Sequence, residues 1–205
     1  MNLIEAFQGI PTGNIADCQG FRGVMDAGIQ PLDRHMHVVG RALTCACAAG
    51  DNLTIHKAVL MAQPGDVLVI SCGGYANSGV FGEMLAVCCR ARGIAGVIVD
   101  GSCRDSLELI EMDFPAFSRS VNPNGSIKQT CGEVNGKLMC GGVWVEGGDI
   151  IVGDADGVVV VKRAEAEEIL QKSSAKKMKE NELRVQFAAG KTTAELLGLM
   201  DKIRM

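Results

Sequence analysis

Aromatic side chains are scarce in this chain: 4% of 205 residues, with a single Trp and a single Tyr. The core must therefore come from Val, Ile, Leu, Ala, Met and Cys, and the apolar share is nonetheless 47%. Basic charge is not in excess. The formal net charge is -4 and the pI is about 5.4, which argues against a nucleic-acid partner. No apolar run approaches the ~20 residues a helix needs to span a bilayer, so no membrane partner is expected. No basic-then-apolar leader opens the sequence. The nine cysteines include no Cys-x-x-Cys pair. Their odd number, with Cys45, Cys47, Cys72, Cys88 and Cys89 inside apolar runs, favours a reduced cytosolic protein whose thiols act mainly as small core residues.

Several familiar motifs are also missing. In the loop Gly73 to Gly79 the glycine spacing suits a phosphate loop, but Val80 stands where its Lys is required, and no Gly-x-Gly-x-x-Gly follows a strand. A nucleotide cofactor is therefore not expected. No Gly-x-Ser-x-Gly elbow surrounds Ser78 or Ser102. His35 and His37 have no further ligand at zinc-binding spacing and read as turn or edge-strand residues. His56 reads as a helix residue with a satisfied hydrogen bond. Cys103 precedes Arg104 at a helix start, where a thiolate is stabilised, but no partner base is visible, so a small residue filling a tight loop is the preferred reading. Trp144, between Val143 and Val145, reads as core or subunit-interface packing.

What is present is an α/β pattern. A short helix capped near Thr12 opens the chain. His35 to Ala49 reads as a strand pair, and Asn52 to Ala62 as a helix from the spacing of Leu53, His56, Leu60 and Met61. Pro64-Gly65-Asp66 is a turn signal before the buried strand Val67 to Ser71. A glycine-rich loop, Cys72 to Gly79, leads into a helix from Val80 to Arg92. Ile94 to Val99 is a second buried strand, Asp100 to Cys103 a loop, and Arg104 to Met112 a second helix. Strand–helix–strand–helix with short links predicts parallel neighbours and right-handed crossovers. Short strands follow at Val143 to Val145, Asp149 to Val152 and Val158 to Val161. Gly147-Gly148-Asp149 repeats the turn chemistry of Pro64-Gly65-Asp66. Glu165 to Phe187 is a charged helix with Glu168/Lys172 and Glu180/Arg184 at supportive spacing. The cluster Lys176, Lys177 and Lys179 reads as a solvated helix face. Thr192 and Glu195 match a capping box.

Glu83, Arg104 and Asp105 fall on the two consecutive strand-to-helix junctions, which open on one edge of a parallel sheet where ligands bind. Free amides from Gly82 to Leu85 suit an anion. Mg²⁺ needs only one or two carboxylates, and Asp105 can supply one. Arg104 suits a carboxylate or a developing enolate oxygen, and Glu83 can position water for proton transfer. Metal plus guanidinium beside a 2-oxo acid favours retro-aldol cleavage or decarboxylation. Spacing alone equally allows Arg104 to pair with Glu83 or Asp105 as a helix clamp.

Glu83 followed after twenty residues by Arg104-Asp105 resembles the signature of the RraA-like family, which includes class II 4-hydroxy-4-methyl-2-oxoglutarate and 4-carboxy-4-hydroxy-2-oxoadipate aldolases. Gly93-Ile-Ala-Gly-Val-Ile-Val-Asp-Gly101, Phe114-Pro115, Gly141-Gly142-Val143 and Gly148 to Gly157 continue the likeness, which runs over roughly residues 10 to 163. The resemblance implies a swivelling β/β/α domain over 1–163, with 164–205 as a C-terminal helical extension. It implies homotrimers or hexamers with sites near subunit interfaces; the cytoplasmic location is expected from the cysteine pattern. It also implies Mg²⁺ or Mn²⁺ at Asp105, catalytic roles for Arg104 and Glu83, and substrate contacts at Gly82, Glu83, Met84, Leu85 and Arg104. The expected substrate is a small 2-oxo acid, cleaved to give pyruvate, with oxaloacetate decarboxylation as a side activity. Related aldolases carry Asp where this chain has Glu83. Family members without an acid there act instead as protein-binding regulators of an RNA-degrading nuclease.

Overall fold

The computed structural model describes residues 3–203. The chain begins with helix α1 (Thr12–Cys18) and strands β1 (Gln30–Pro31) and β2 (Val38–Ala46). Its middle runs α2 (Leu53–Met61), β3 (Asp66–Ser71), β4 (Gly79–Phe81), α3 (Glu83–Ala91), β5 (Gly96–Cys103), α4 (Ser106–Glu111) and β6 (Ala116–Val121). The last third holds β7 (Leu138–Cys140), β8 (Val143–Val145), β9 (Ile150–Asp154) and β10 (Gly157–Val161), then α5 (Ala166–Ala188) and α6 (Thr193–Leu196).

One mixed sheet runs in the order β1-β6-β5-β3-β2-β9-β10, with β4 alongside β5 and a separate β7–β8 hairpin. The expected α/β class with a parallel core is borne out: β2, β3, β5 and β6 are parallel neighbours. β9 joins β2 antiparallel, and β1 joins β6 antiparallel. The apolar run of β3 is buried on both faces. Leu68 and Ile70 enter the cluster under α2 and α3, while Val67 and Val69 enter one with Phe117, Val145 and Ile151. Each such side chain contributes about 1.5–3 kcal/mol by leaving water, which fixes the middle of the sheet and hence its edge.

The two Gly-Asp turns use the same chemistry. Asp66 Oδ2 accepts the Gln63 N–H at 2.8 Å, and Asp149 Oδ2 accepts the Glu146 N–H at 2.9 Å. The predicted capping box is present between Thr192 and Glu195. Other expectations are corrected. His35 to Ala49 holds one continuous strand, β2, rather than a pair. Val80 and Phe81 belong to β4, so α3 starts at Glu83. Asp100 to Cys103 continues β5 instead of forming a loop, because Asp100 and Ser102 find polar partners inside the sheet. α1 does start at Thr12, but its N-terminus is held by Asp154, which accepts the Thr12 N–H at 2.8 Å and its hydroxyl at 2.7 Å. Glu180 bonds Asn14 at 2.8 Å and Lys176 at 3.1 Å, and Arg184 turns to Asn181. Lys176 and Lys177 reach Asp17 and the Gly9 carbonyl, so that face of α5 clasps the first residues of the chain instead of lying in solvent. Among the described residues no helix is long and apolar enough to cross a membrane.

Candidate functional site

The parallel pairing of β3 with β5 brings both strand-to-helix junctions to one sheet edge. β4 extends that edge by pairing Gly79 with Ser102 and Phe81 with Cys103. Arg104 follows directly, its N–H bonded to the Phe81 carbonyl at 2.8 Å. Asp105 then takes a left-handed backbone, φ 52° and ψ 45°, as the residue before α4. Asp and Asn tolerate that conformation better than most side chains, and it turns the Asp105 carboxylate back across the gap to α3. Its Oδ2 accepts the Glu83 N–H at 3.1 Å and lies 3.3 Å from Arg104 Nε.

The clamp anticipated from spacing therefore forms through Asp105 and not through Glu83. It uses one carboxylate oxygen and one guanidinium nitrogen. Among the described residues, Asp105 Oδ1, both Arg104 Nη atoms and the Glu83 carboxylate have no hydrogen-bond or ion-pair partner. In the first turn of α3 the Glu83 amide is taken by Asp105, while those of Met84 and Leu85 meet no acceptor among the described residues.

A cavity of about 200 Å³ opens at this edge. Gly82, Met84, Leu85 and Arg104 line it; Glu83 and Asp105 stand beside it without lining it. Sequence reasoning missed the remaining wall. α2 brings Asn52 and His56, and a strap after β6 brings Ser126 and Lys128. Asn52 Nδ2 donates to the Val80 carbonyl at 3.0 Å, but its Oδ1 is buried without a partner, as is His56 Nε2. The expectation of a satisfied His56 is thus overturned. A buried polar atom without a partner costs free energy, and two on one cavity wall suit a polar ligand. Nothing in the spacing of Asn52 or Lys128 signals this, since the strap lacks regular structure. It is held by Asp51, whose Oδ2 accepts the Gln129 and Thr130 N–H groups at 2.9 and 2.7 Å. Asp51's carboxyl is held below the usual range, first by the Leu53 N–H and also by those two amides.

Gly82 shows how tight the junction is. A Cβ there would lie 2.5 Å from Asp105 Oδ2 and 2.8 Å from Arg104 Cγ. Gly82→Ala is therefore expected to displace both side chains and lower activity at this site about tenfold or more, as small misplacements of reacting groups do. Steady-state kinetics with an unchanged far-UV spectrum would establish this, and parental kinetics would refute it.

The donor set suits a hard, water-rich ion. No group of three His, Cys, Asp or Glu side chains arranged to hold a metal occurs among the described residues, whereas Mg²⁺ is satisfied by one or two carboxylates with water and substrate oxygens. The open Asp105 Oδ1 fits that demand. Elsewhere, His35 Nδ1 lies 2.9 Å from Asp33 Oδ1 and His37 Nδ1 2.7 Å from the His35 carbonyl. Cys103 is buried at the end of β5, and burial pushes its thiol up to about 12, which disfavours a thiolate there. Trp144 is half exposed, with Lys137 Nζ 5.5 Å from its ring centroid, rather than in the core.

The profile described as RraA-like, Aldolase/RraA, matches residues 11–160. The chain belongs to the RraA-like family. A relative from Halalkalibacterium halodurans, provisionally named 4-hydroxy-4-methyl-2-oxoglutarate aldolase, is 39% identical over 184 residues, covering 90% of this chain and 87% of its own. A crystal structure of a Pseudomonas syringae protein superposes with a TM-score of 0.83 at 24% identity, over 93% of this chain and 90% of the other, which speaks to the fold alone. The Streptomyces coelicolor protein RraAS2, titled an unusual member of the RNase ES inhibitor RraA family, has a TM-score of 0.77 at 26% identity, over 90% and 97% of the two chains. This RraA-like chain thus has relatives carrying an aldolase name and relatives named for ribonuclease inhibition.

Proposed function

We propose that this RraA-like protein is a divalent-metal-dependent lyase that cleaves small 4-hydroxy-2-oxo acids by a retro-aldol reaction to give pyruvate, and also decarboxylates oxaloacetate. The observation that carries the reading is the guanidinium of Arg104, lining the cavity with both Nη atoms open beside the half-used carboxylate of Asp105. The aldolase name of the 39% identical relative supports the same chemistry.

Asp105 would hold Mg²⁺ or Mn²⁺, and the ion would supply Lewis-acid polarisation of a bound 2-oxo acid. Arg104 binds the oxygen on which enolate charge develops, a stabilisation that counts because it strengthens toward the transition state. The amides of Met84 and Leu85 receive the substrate carboxylate. Breaking the C3–C4 bond releases the C4 carbonyl fragment as the C4 hydroxyl gives up its proton, and the enolate of pyruvate then takes a proton at C3. Glu83, with its carboxylate uncommitted, orients the water that carries these protons. Asn52, His56 and Lys128 meet the polar far end of the substrate.

The test is to incubate the protein with oxaloacetate or 4-hydroxy-4-methyl-2-oxoglutarate and Mg²⁺ or Mn²⁺, and follow pyruvate. Pyruvate above background that disappears with a chelator and in Asp105→Ala supports the reading; background rates with every metal and substrate reject it. The relatives named for ribonuclease inhibition favour a second reading, a protein-binding regulator of an RNA-degrading nuclease. That reading expects nuclease affinity that survives Asp105→Ala.

A further inference from the structure

Three thiols meet where β2 and β3 leave the sheet. Cys45 and Cys47 lie two residues apart, with Sγ atoms separated by 3.6 Å. Cys72 follows β3. The β2–β3 register pairs Cys45 with Ile70 and Ala46 with Ser71, which sets Cys47 beside Cys72. The ladder continues through this position, since the Cys47 N–H bonds the Ser71 carbonyl at 2.9 Å. Adjacent strands lie about 4.8 Å apart, inside the Cα separation of about 4.4–6.8 Å that disulfides span. Cys45 and Cys47, two steps along one extended strand, are roughly 6.6 Å apart, at the far limit of that range.

Exposure divides the three. Cys45 and Cys72 are buried, whereas Cys47 is partly open to solvent. The Cys45 thiol, 3.6 Å away, leads in holding the Cys47 thiol well below the usual range, with the nearby Cys72 thiol and Thr54 hydroxyl adding to it against burial and the Asp51 carboxylate. The contact with Cys47, and then burial, pushes Cys45 and Cys72 up. Cys47 is thus the reachable thiol of the three, with two buried thiols beside it. An attacking and a resolving thiol need that division.

We propose that Cys47 is a peroxide-reactive thiol that Cys72 resolves as a disulfide, a modification site separate from the oxo-acid cavity. The Cys47 sulfur attacks one oxygen of hydrogen peroxide. The O–O bond breaks, an S–O bond forms, and hydroxide leaves to become water with the proton Cys47 had released. Cys72 then attacks the sulfenic sulfur: the S–S bond forms, the S–O bond breaks, and the Cys72 proton departs with the hydroxyl as a second water. Two thiols are oxidised by two electrons and one peroxide is reduced. This inference does not depend on the lyase reading, because its readout is covalent.

The reduced full chain is treated with one equivalent of hydrogen peroxide at neutral pH, blocked with iodoacetamide and digested with trypsin. The expected product joins peptide 42–57 to peptide 58–90 through Cys47 and Cys72, with carbamidomethyl groups only on Cys45, Cys88 and Cys89 and a mass two hydrogens below that of the two peptides alkylated at those three positions alone. Limiting iodoacetamide at pH 6, without peroxide, is expected to label Cys47 about tenfold faster than the exposed Cys88 and Cys131, as a stabilised thiolate requires. In Cys72→Ser, dimedone is expected to trap a sulfenate at Cys47. A bridge mapping to Cys45 and Cys47, Cys88 or Cys131 labelling ahead of Cys47, or no dimedone adduct in a folded Cys72→Ser chain would each overturn the proposal.

Discussion

Arg104→Ala is expected to lower pyruvate release by about 10²–10³-fold, the effect of removing one preformed oxyanion donor. The side chain has committed only Nε, to Asp105 at 3.3 Å, and offers its remaining nitrogens to the cavity. Stability should barely change. The pair is 43% and 35% exposed on its two sides, and ion pairs that open to water contribute at most about 1 kcal/mol. Arg104→Lys should recover little of the loss, because an ammonium cannot reach Asp105 and a substrate oxygen with a planar fork. The measurement is kcat and kcat/KM beside a thermal melt for each variant. An Arg104→Ala protein that releases pyruvate at the parental rate would take this site out of the mechanism.

Arg119→Ala is expected to cost about 3 kcal/mol of folding stability, the lower end of what breaking a buried ion pair costs. Arg119 reaches from β6 into the sheet, where its Nε bonds Asp100 Oδ1, and it also lies 3.3 Å from Asp26. Asp100 is buried in β5, and its other oxygen takes the Gly141 N–H at 2.8 Å. Truncation leaves that carboxylate with too few partners in a place water does not reach. About a quarter of the Arg119 side chain stays exposed, which limits the penalty. Denaturant unfolding should show the loss in the single variant and a partial return in Arg119→Met/Asp100→Asn, where no buried charge remains. A loss below about 1 kcal/mol would mean that water or another cation reaches Asp100, in conflict with the partial desolvation that sets the larger cost.

That same pair explains part of what the sequence hid. The buried strands β3 and β5 and helices α2 and α5 were legible, because continuous apolar runs and helical spacing leave few alternatives. β6 was not. Its run Ala116-Phe-Ser-Arg-Ser-Val121 looks too polar for an inner strand, yet Arg119 and Ser120 are matched by Asp100 and Ser102 on the neighbouring strand. Asp100-Gly101-Ser102 reads as a turn for the same reason and is strand. At the site, Glu83, Arg104 and Asp105 were legible as residues on two junctions, and β3–β5 pairing brings those junctions together. The Asn52, His56 and Lys128 wall was not, since α2 and the strap reach the cavity only through tertiary contacts such as the amides gathered by Asp51.

The clasp between α1 and α5 governs when this chain can finish folding as it is made. Asn14 and Glu180 are 166 positions apart. Synthesis at about 5–20 residues per second separates their emergence by roughly 10–30 s. β2, β3 and β5 pair through successive crossovers and need no such wait. Phe7 and Ile15, by contrast, complete their cluster only with Ile169, so α1 leaves the ribosome well before the partner that seats it.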